Sequence, residues 1–123
     1  MNIELKKYLD QTKTVSFKDL LFFFLERNGE SNPTVYNRVD IDRRVFSKVF
    51  GRKPYNLGKS NILKLCLSLK LDLSDSSRLL NSAGYSLSTT NDFDLIIRYC
   101  ISNKIYDFNT VNGLLYDYAK TTF

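Results

Sequence analysis

The segment 61–70, NILKLCLSLK, sets the tightest limit on how this chain can fold. As a helix from Ser60 or Asn61 through Lys70, it turns Ile62, Leu63, Leu65, Cys66, Leu67 and Leu69 to every side of its axis. A helix that is apolar all round must be covered all round. The segment is therefore the central helix of a core, and the rest of the chain has to supply its walls.

The walls read as helices too. Ser16 caps a helix with Asp19 three residues on, as in a capping box. Phe17, Leu20, Leu21, Phe24 and Leu25 follow at helical spacing, and Asn28-Gly29 stops it. Phe22 and Phe23 fall outside that stripe, which predicts burial on more than one side. Beyond the central segment, Ser74 opens a helix with Leu79, Leu80 and Ala83 inward, ended by Gly84-Tyr85. Phe93, Ile96, Ile97, Cys100 and Ile101 repeat at the helical period. A last helix over 110–120 presents Val111, Leu114, Leu115 and Tyr118. Residues 2–11 form a weakly patterned short helix with Leu5, Tyr8 and Leu9 on one side. No stretch alternates strictly over strand length, so the expected class is all-α, as one domain over residues 1–123.

Between these walls lies PTVYNRVDIDRRVFSKVF, residues 33–50. Ser31 is a cap and Pro33 sits at the start of a short helix to Val39. Asp40 and Ile41 form a turn, with Ile41 as an apolar plug. Asp42 then caps a second helix to Phe50. In that helix Val45, Phe46 and Val49 share one side, and Arg43, Arg44, Ser47 and Lys48 share the other. An apolar back with a basic, hydroxyl-bearing front is what a groove-reading helix needs.

The charge is distributed accordingly. Residues 1–60 hold 12 Lys and Arg against 7 Asp and Glu, whereas residues 61–123 hold 6 of each. From Arg43 to Lys59 there are six basic residues and no acid. Placed on and after a reading helix, such a run favours a polyanion. The absence of histidine removes His-assisted nucleophiles and most zinc sites. The acids fall at helix starts, where capping accounts for them, so no catalytic residue, metal or cofactor is expected. GRKPYNLGKS ends in Gly-Lys-Ser, but Pro54 and the lack of a preceding strand argue against a phosphate loop. Cys66 and Cys100 read as buried free thiols. With no membrane-length apolar run and a charged start, MNIELKKYLDQ, the chain reads as cytoplasmic.

Residues 16–85 resemble the Cro/C1-type (XRE-like) helix-turn-helix domain. The match rests on SFKDLLFFFLE, PTVYNRV, DRRVFSKVF, GRKP, SNILKLCLSLKL and an Ala-Gly-Tyr ending, with DIDRRVFSKVFGRKP the most specific part. The resemblance implies a five-helix bundle followed by two C-terminal helices. It implies a small transcriptional regulator that binds double-stranded DNA. Arg43, Arg44 and Ser47 would face base edges, and Lys48, Arg52, Lys53 and Lys59 would hold phosphates. Residues 86–123 are similar to an extension found in small proteins of Gram-positive bacteria and their phages, which implies a packing or partner-binding role. There Tyr106, Phe108, Tyr116 and Tyr118 are the expected contacts, for a homodimer or, alternatively, for a protein partner of a phage or mobile-element module.

Overall fold

A computed structural model of the chain describes residues 2–123. Eight helices and no strand occur among the described residues. They are α1 (Ile3–Thr12), α2 (Phe17–Asn28), α3 (Asn32–Arg38), α4 (Arg43–Lys48), α5 (Lys59–Ser68), α6 (Leu73–Ser82), α7 (Asp92–Ser102) and α8 (Phe108–Ala119). None is long and apolar enough to cross a membrane.

The apolar ring on α5 is covered as its pattern demands. Ile62, Leu63, Leu65, Cys66 and Leu67 are buried, and α3, α6 and α8 pack around them. α2 lies on α6, α4 on α3, and α7 on both α6 and α8. The inward residues of α7 and α8 (Ile97, Cys100, Ile101, Val111, Leu115) join the same core as Leu21, Phe24 and Val35. The C-terminal extension is thus continuous with the bundle and is not a separate unit.

Caps set most helix starts. The Ser16, Ser31 and Asp42 side chains accept from Asp19 N, Thr34 N and Arg44 N. Two starts differ from expectation. Asp72, not Ser74, caps α6, because its carboxylate accepts from Asp75 N at 2.8 Å. α5 starts at Lys59 behind Gly58, with no side-chain cap.

Four helices end on one device. A residue with positive φ is followed by a residue whose N–H reaches back five positions: Ile41 to the Tyr36 carbonyl, Leu71 to Cys66, Tyr85 to Leu80 and Ile105 to Cys100. Only Gly84 is a glycine. The other three turning residues are Asp40, Lys70 and Lys104, at φ 58°, 51° and 57°, where a side chain costs about 1 kcal/mol. Ile41 and Leu71 drop into the core behind their turns, and that burial offsets the strain.

Phe22 and Phe23 are not buried; each is more than half exposed. α2 spends its inward stripe, Leu20, Leu21, Phe24 and Leu25, on the bundle, and among the described residues no helix buries its other side. Of the residues on the stripe of the last helix, Val111 and Leu115 are buried, whereas Tyr118 is 74% exposed. α1 buries none of its residues.

Arg38 joins α3 to α5. Its Nη1 and Nη2 donate to the two Glu30 oxygens at 2.9 and 2.7 Å. Nε and Nη2 also donate to the Ser68 hydroxyl and carbonyl. The Ser68 hydroxyl in turn donates to the Val35 carbonyl at 2.6 Å. The Arg38 hydrogen bonds, with a further one from Asn28, hold the Glu30 carboxyl down at about 2.

Candidate nucleic-acid interface

α4 is a short helix held from behind. Phe46 and Val49 are buried, with Val45 half-buried. The Phe46 ring lies 5.1 Å from Tyr36 and 5.6 Å from Phe50, centroid to centroid. The connection from α3 is four residues, Val39 to Asp42. Val39 and Ile41 are sunk in the core, and Asp40 takes the left-handed conformation. Asp42 Oδ1 accepts from Arg44 N at 2.7 Å and fixes the first turn. The spacing that buries Phe46 and Val49 necessarily turns Arg43, Arg44, Ser47 and Lys48 outward, and all four are exposed.

The loop after α4 adds to this face. Arg52 and Lys53 are exposed. Leu57 anchors the loop in the core, and Asn56 ties it to Tyr85 by donating from Nδ2 to the phenol oxygen at 2.9 Å. Lys48 Nζ lies 5.5 Å from the centre of the Tyr55 ring. That contact positions the ammonium without neutralising it. Among the described residues, no carboxylate lies within ion-pair distance of Arg43, Arg44, Lys48, Arg52 or Lys53. Beside Arg43 and Ser47 opens a largely apolar cleft of about 500 Å³, walled by Phe22, Tyr36, Phe46 and Phe50. Nothing in the sequence pattern marked it, because its walls come from three different helices.

Lys59 departs from the expected role. Its Nζ donates to Asp94 Oδ2 at 2.6 Å, and the same oxygen accepts from Ser88 N at 2.7 Å. The Asp94 side chain is 7% exposed. A buried carboxylate needs a partner, and Lys59 is the cation within reach. It clamps the start of α5 to α7 and is not a free phosphate contact.

The four expected partner contacts divide in two. Tyr106 donates its hydroxyl to the Leu71 carbonyl at 3.0 Å and packs on the core. Burial raises its phenol pKa. Phe108 stacks on Phe123 at 5.7 Å. These two are structural, because they close the α7–α8 connection onto the bundle. Tyr116 and Tyr118 are exposed, at 62% and 74%. Tyr118 lies with Leu95, Tyr99 and Leu114 around a cleft of about 460 Å³ between α7 and α8. No group of three His, Cys, Asp or Glu side chains is arranged to hold a metal among the described residues.

No family model matches the chain, and no curated protein or solved structure matches it either.

Proposed function

We propose that this chain is a DNA-binding helix-turn-helix protein, a small transcriptional regulator that binds duplex DNA without doing chemistry on it. In this reading α2 to α6 are the five helices of a Cro/C1-type domain, and α4 enters the major groove. Arg43, Arg44 and Ser47 meet base edges, while Lys48, Arg52 and Lys53 hold phosphates. One observation carries the reading: five basic side chains stand exposed and unpaired on one continuous segment, directly over an apolar back that locks α4 in place. A single module of this size buries too little for tight binding at physiological salt. Two copies on half-sites about 34 Å apart supply the rest.

The test begins with duplexes selected from a random pool, followed by salt titrations of binding. Arg44→Ala is expected to weaken the selected site by about 1–3 kcal/mol and relax its specificity. Lys53→Ala is expected to weaken all duplexes alike. Equal, small losses on selected and random DNA would refute the assignment.

A second reading is favoured by Leu95, Tyr99 and Tyr118, which line an exposed aromatic cleft between the C-terminal pair of helices, with Tyr116 exposed on another side of α8. Here the bundle is a scaffold and that face grips another protein. Capture lost on Tyr116→Ala and Tyr118→Ala, with Arg43 and Arg44 dispensable, would select this reading over the first.

A further inference from the structure

The cleft of about 500 Å³ beside α4 carries one charge of each sign. Glu26 lines it from α2 and Arg43 from α4, and its other lining residues are uncharged. Both side chains are exposed. They form no ion pair with each other, and neither has an ion-pair partner among the described residues. A third polar group is also unmet. Tyr36 walls the cleft and is 6% exposed, and a buried phenol ordinarily finds a hydrogen-bond partner. None of the side-chain hydrogen bonds of α2 to α4, among the described residues, uses the Tyr36 hydroxyl. Phe22, on the same wall as Glu26 one helical turn earlier, is left 55% exposed.

These groups select the guest. An anion alone would set its charge beside Glu26, and a cation alone would set its charge beside Arg43. A neutral apolar guest would strip water from both and return nothing. A zwitterion meets both and adds no net charge. Four rings in the wall favour a ring in the guest, since aromatic rings pack on one another at about 4.5–7 Å between centroids. Tyr36 and Phe46 already lie 5.1 Å apart, and Phe46 and Phe50 5.6 Å. The volume is that of a small-molecule site, for which about 300–1,000 Å³ is usual.

We propose that this cleft binds a free aromatic amino acid. The carboxylate lies on the Arg43 guanidinium and accepts from the Tyr36 hydroxyl, the ammonium faces Glu26, and the ring packs against Phe22, Phe46 and Phe50. Arg43 is also assigned to base edges, so an amino acid held there and a duplex exclude one another. That consequence rests on the DNA-binding reading; the site itself does not.

The test titrates the full chain with L-phenylalanine, L-tyrosine and L-tryptophan by calorimetry, without nucleic acid. The tightest of the three binds one to one with a Kd on the order of 100 μM. The matching amine without a carboxylate, the matching acid without an ammonium, and leucine each bind about tenfold or more weaker. Arg43→Gln and Tyr36→Phe weaken the amino acid and not the matching amine, whereas Glu26→Gln weakens the amino acid and not the matching acid. The Tm of the free protein stays in place in all three, because the two charged side chains are exposed and the phenol hydroxyl is unpaired. No saturation by any of the three up to about 10 mM, analogues that bind as tightly as the amino acid, or an affinity indifferent to Arg43→Gln and Glu26→Gln would each overturn the site. The DNA-binding reading survives that failure, because the selection of duplexes tests it separately.

Discussion

Replacing Asp94 by alanine removes the acceptor that joins α5, α7 and the segment between α6 and α7. Two interactions go. The Ser88 N–H, 2.7 Å from the carboxylate, loses a charge-assisted hydrogen bond, a loss of about 1.5–3 kcal/mol. The Lys59 ammonium loses its partner at 2.6 Å, but its side chain is 32% exposed, so water takes over and the further loss is about 0–1 kcal/mol. Together Asp94→Ala costs about 2–4 kcal/mol, roughly 8–15 °C in Tm for a chain of this length. Asp94→Asn keeps an acceptor for Ser88 and should lose about half as much. Lys59→Met leaves a buried carboxylate on one donor and should lose about 1–2 kcal/mol. The same variants separate clamp from phosphate contact. In salt titrations of DNA binding, Lys53→Ala should flatten the log–log slope by about 0.9, and Lys59→Met should leave it unchanged. A Lys59→Met protein with wild-type Tm and a flattened slope would show that the ammonium serves DNA, and would refute the clamp.

Glu30 gives the acid limb of stability. Its folded carboxyl titrates at about 2 against an ordinary 4.5, so its contribution is complete above about 4.5 and disappears as pH falls through about 2. Urea midpoints measured down that range should fall for the wild type, and fall less for Glu30→Gln. Burial pushes the Cys66 thiol up to about 12 and raises Cys100 as well. Neither should react with a thiol reagent at neutral pH until the chain is unfolded, and labelling of the native protein at the rate of a free thiol would contradict the packing. Lys104 sits at φ 57° without an ion pair among the described residues. Lys104→Gly should therefore raise stability by about 0.5–1 kcal/mol, readable as a higher denaturation midpoint.

What the sequence made legible is what depends on neighbours within a turn or two. The caps at Ser16, Ser31 and Asp42, the stop at Gly29 and the ring of apolar residues on α5 follow from local hydrogen bonding and period. The split of α4 into an apolar back and a basic front follows from the same geometry. What stayed hidden spans long separations. Arg38 to Ser68, Lys59 to Asp94 and Tyr106 to Leu71 lie 30, 35 and 35 residues apart. No periodicity marks a lysine as another helix's partner, so Lys59 read as one more basic residue in a run. Phe22 and Phe23 failed for a related reason: hydrophobicity says that a side chain gains from burial, while only topology says whether a neighbour is there to bury it.

The α4 face is basic because six cations and no acid fall between Arg43 and Lys59, and the ion pairs of the bundle bring no acid to it. Arg27 and Arg78 meet Asp75, Arg38 meets Glu30, and Lys59 meets Asp94. Each of these cations is tied within the bundle, and each acid that takes one lies outside the stretch from Arg43 to Lys59, which holds none. Folding thus ties four cations outside the α4 face and, among the described residues, leaves Arg43, Arg44, Lys48, Arg52 and Lys53 without an ion-pair partner. The C-terminal helices reinforce this. They pack on α5 and α6, and Asp94, their buried acid, draws Lys59 inward and leaves the five cations of α4 and its loop without an acid. A polyanion meeting this surface finds a face whose counter-charge the fold does not supply, and that unmet charge is the physical ground for expecting binding there to weaken steeply with salt.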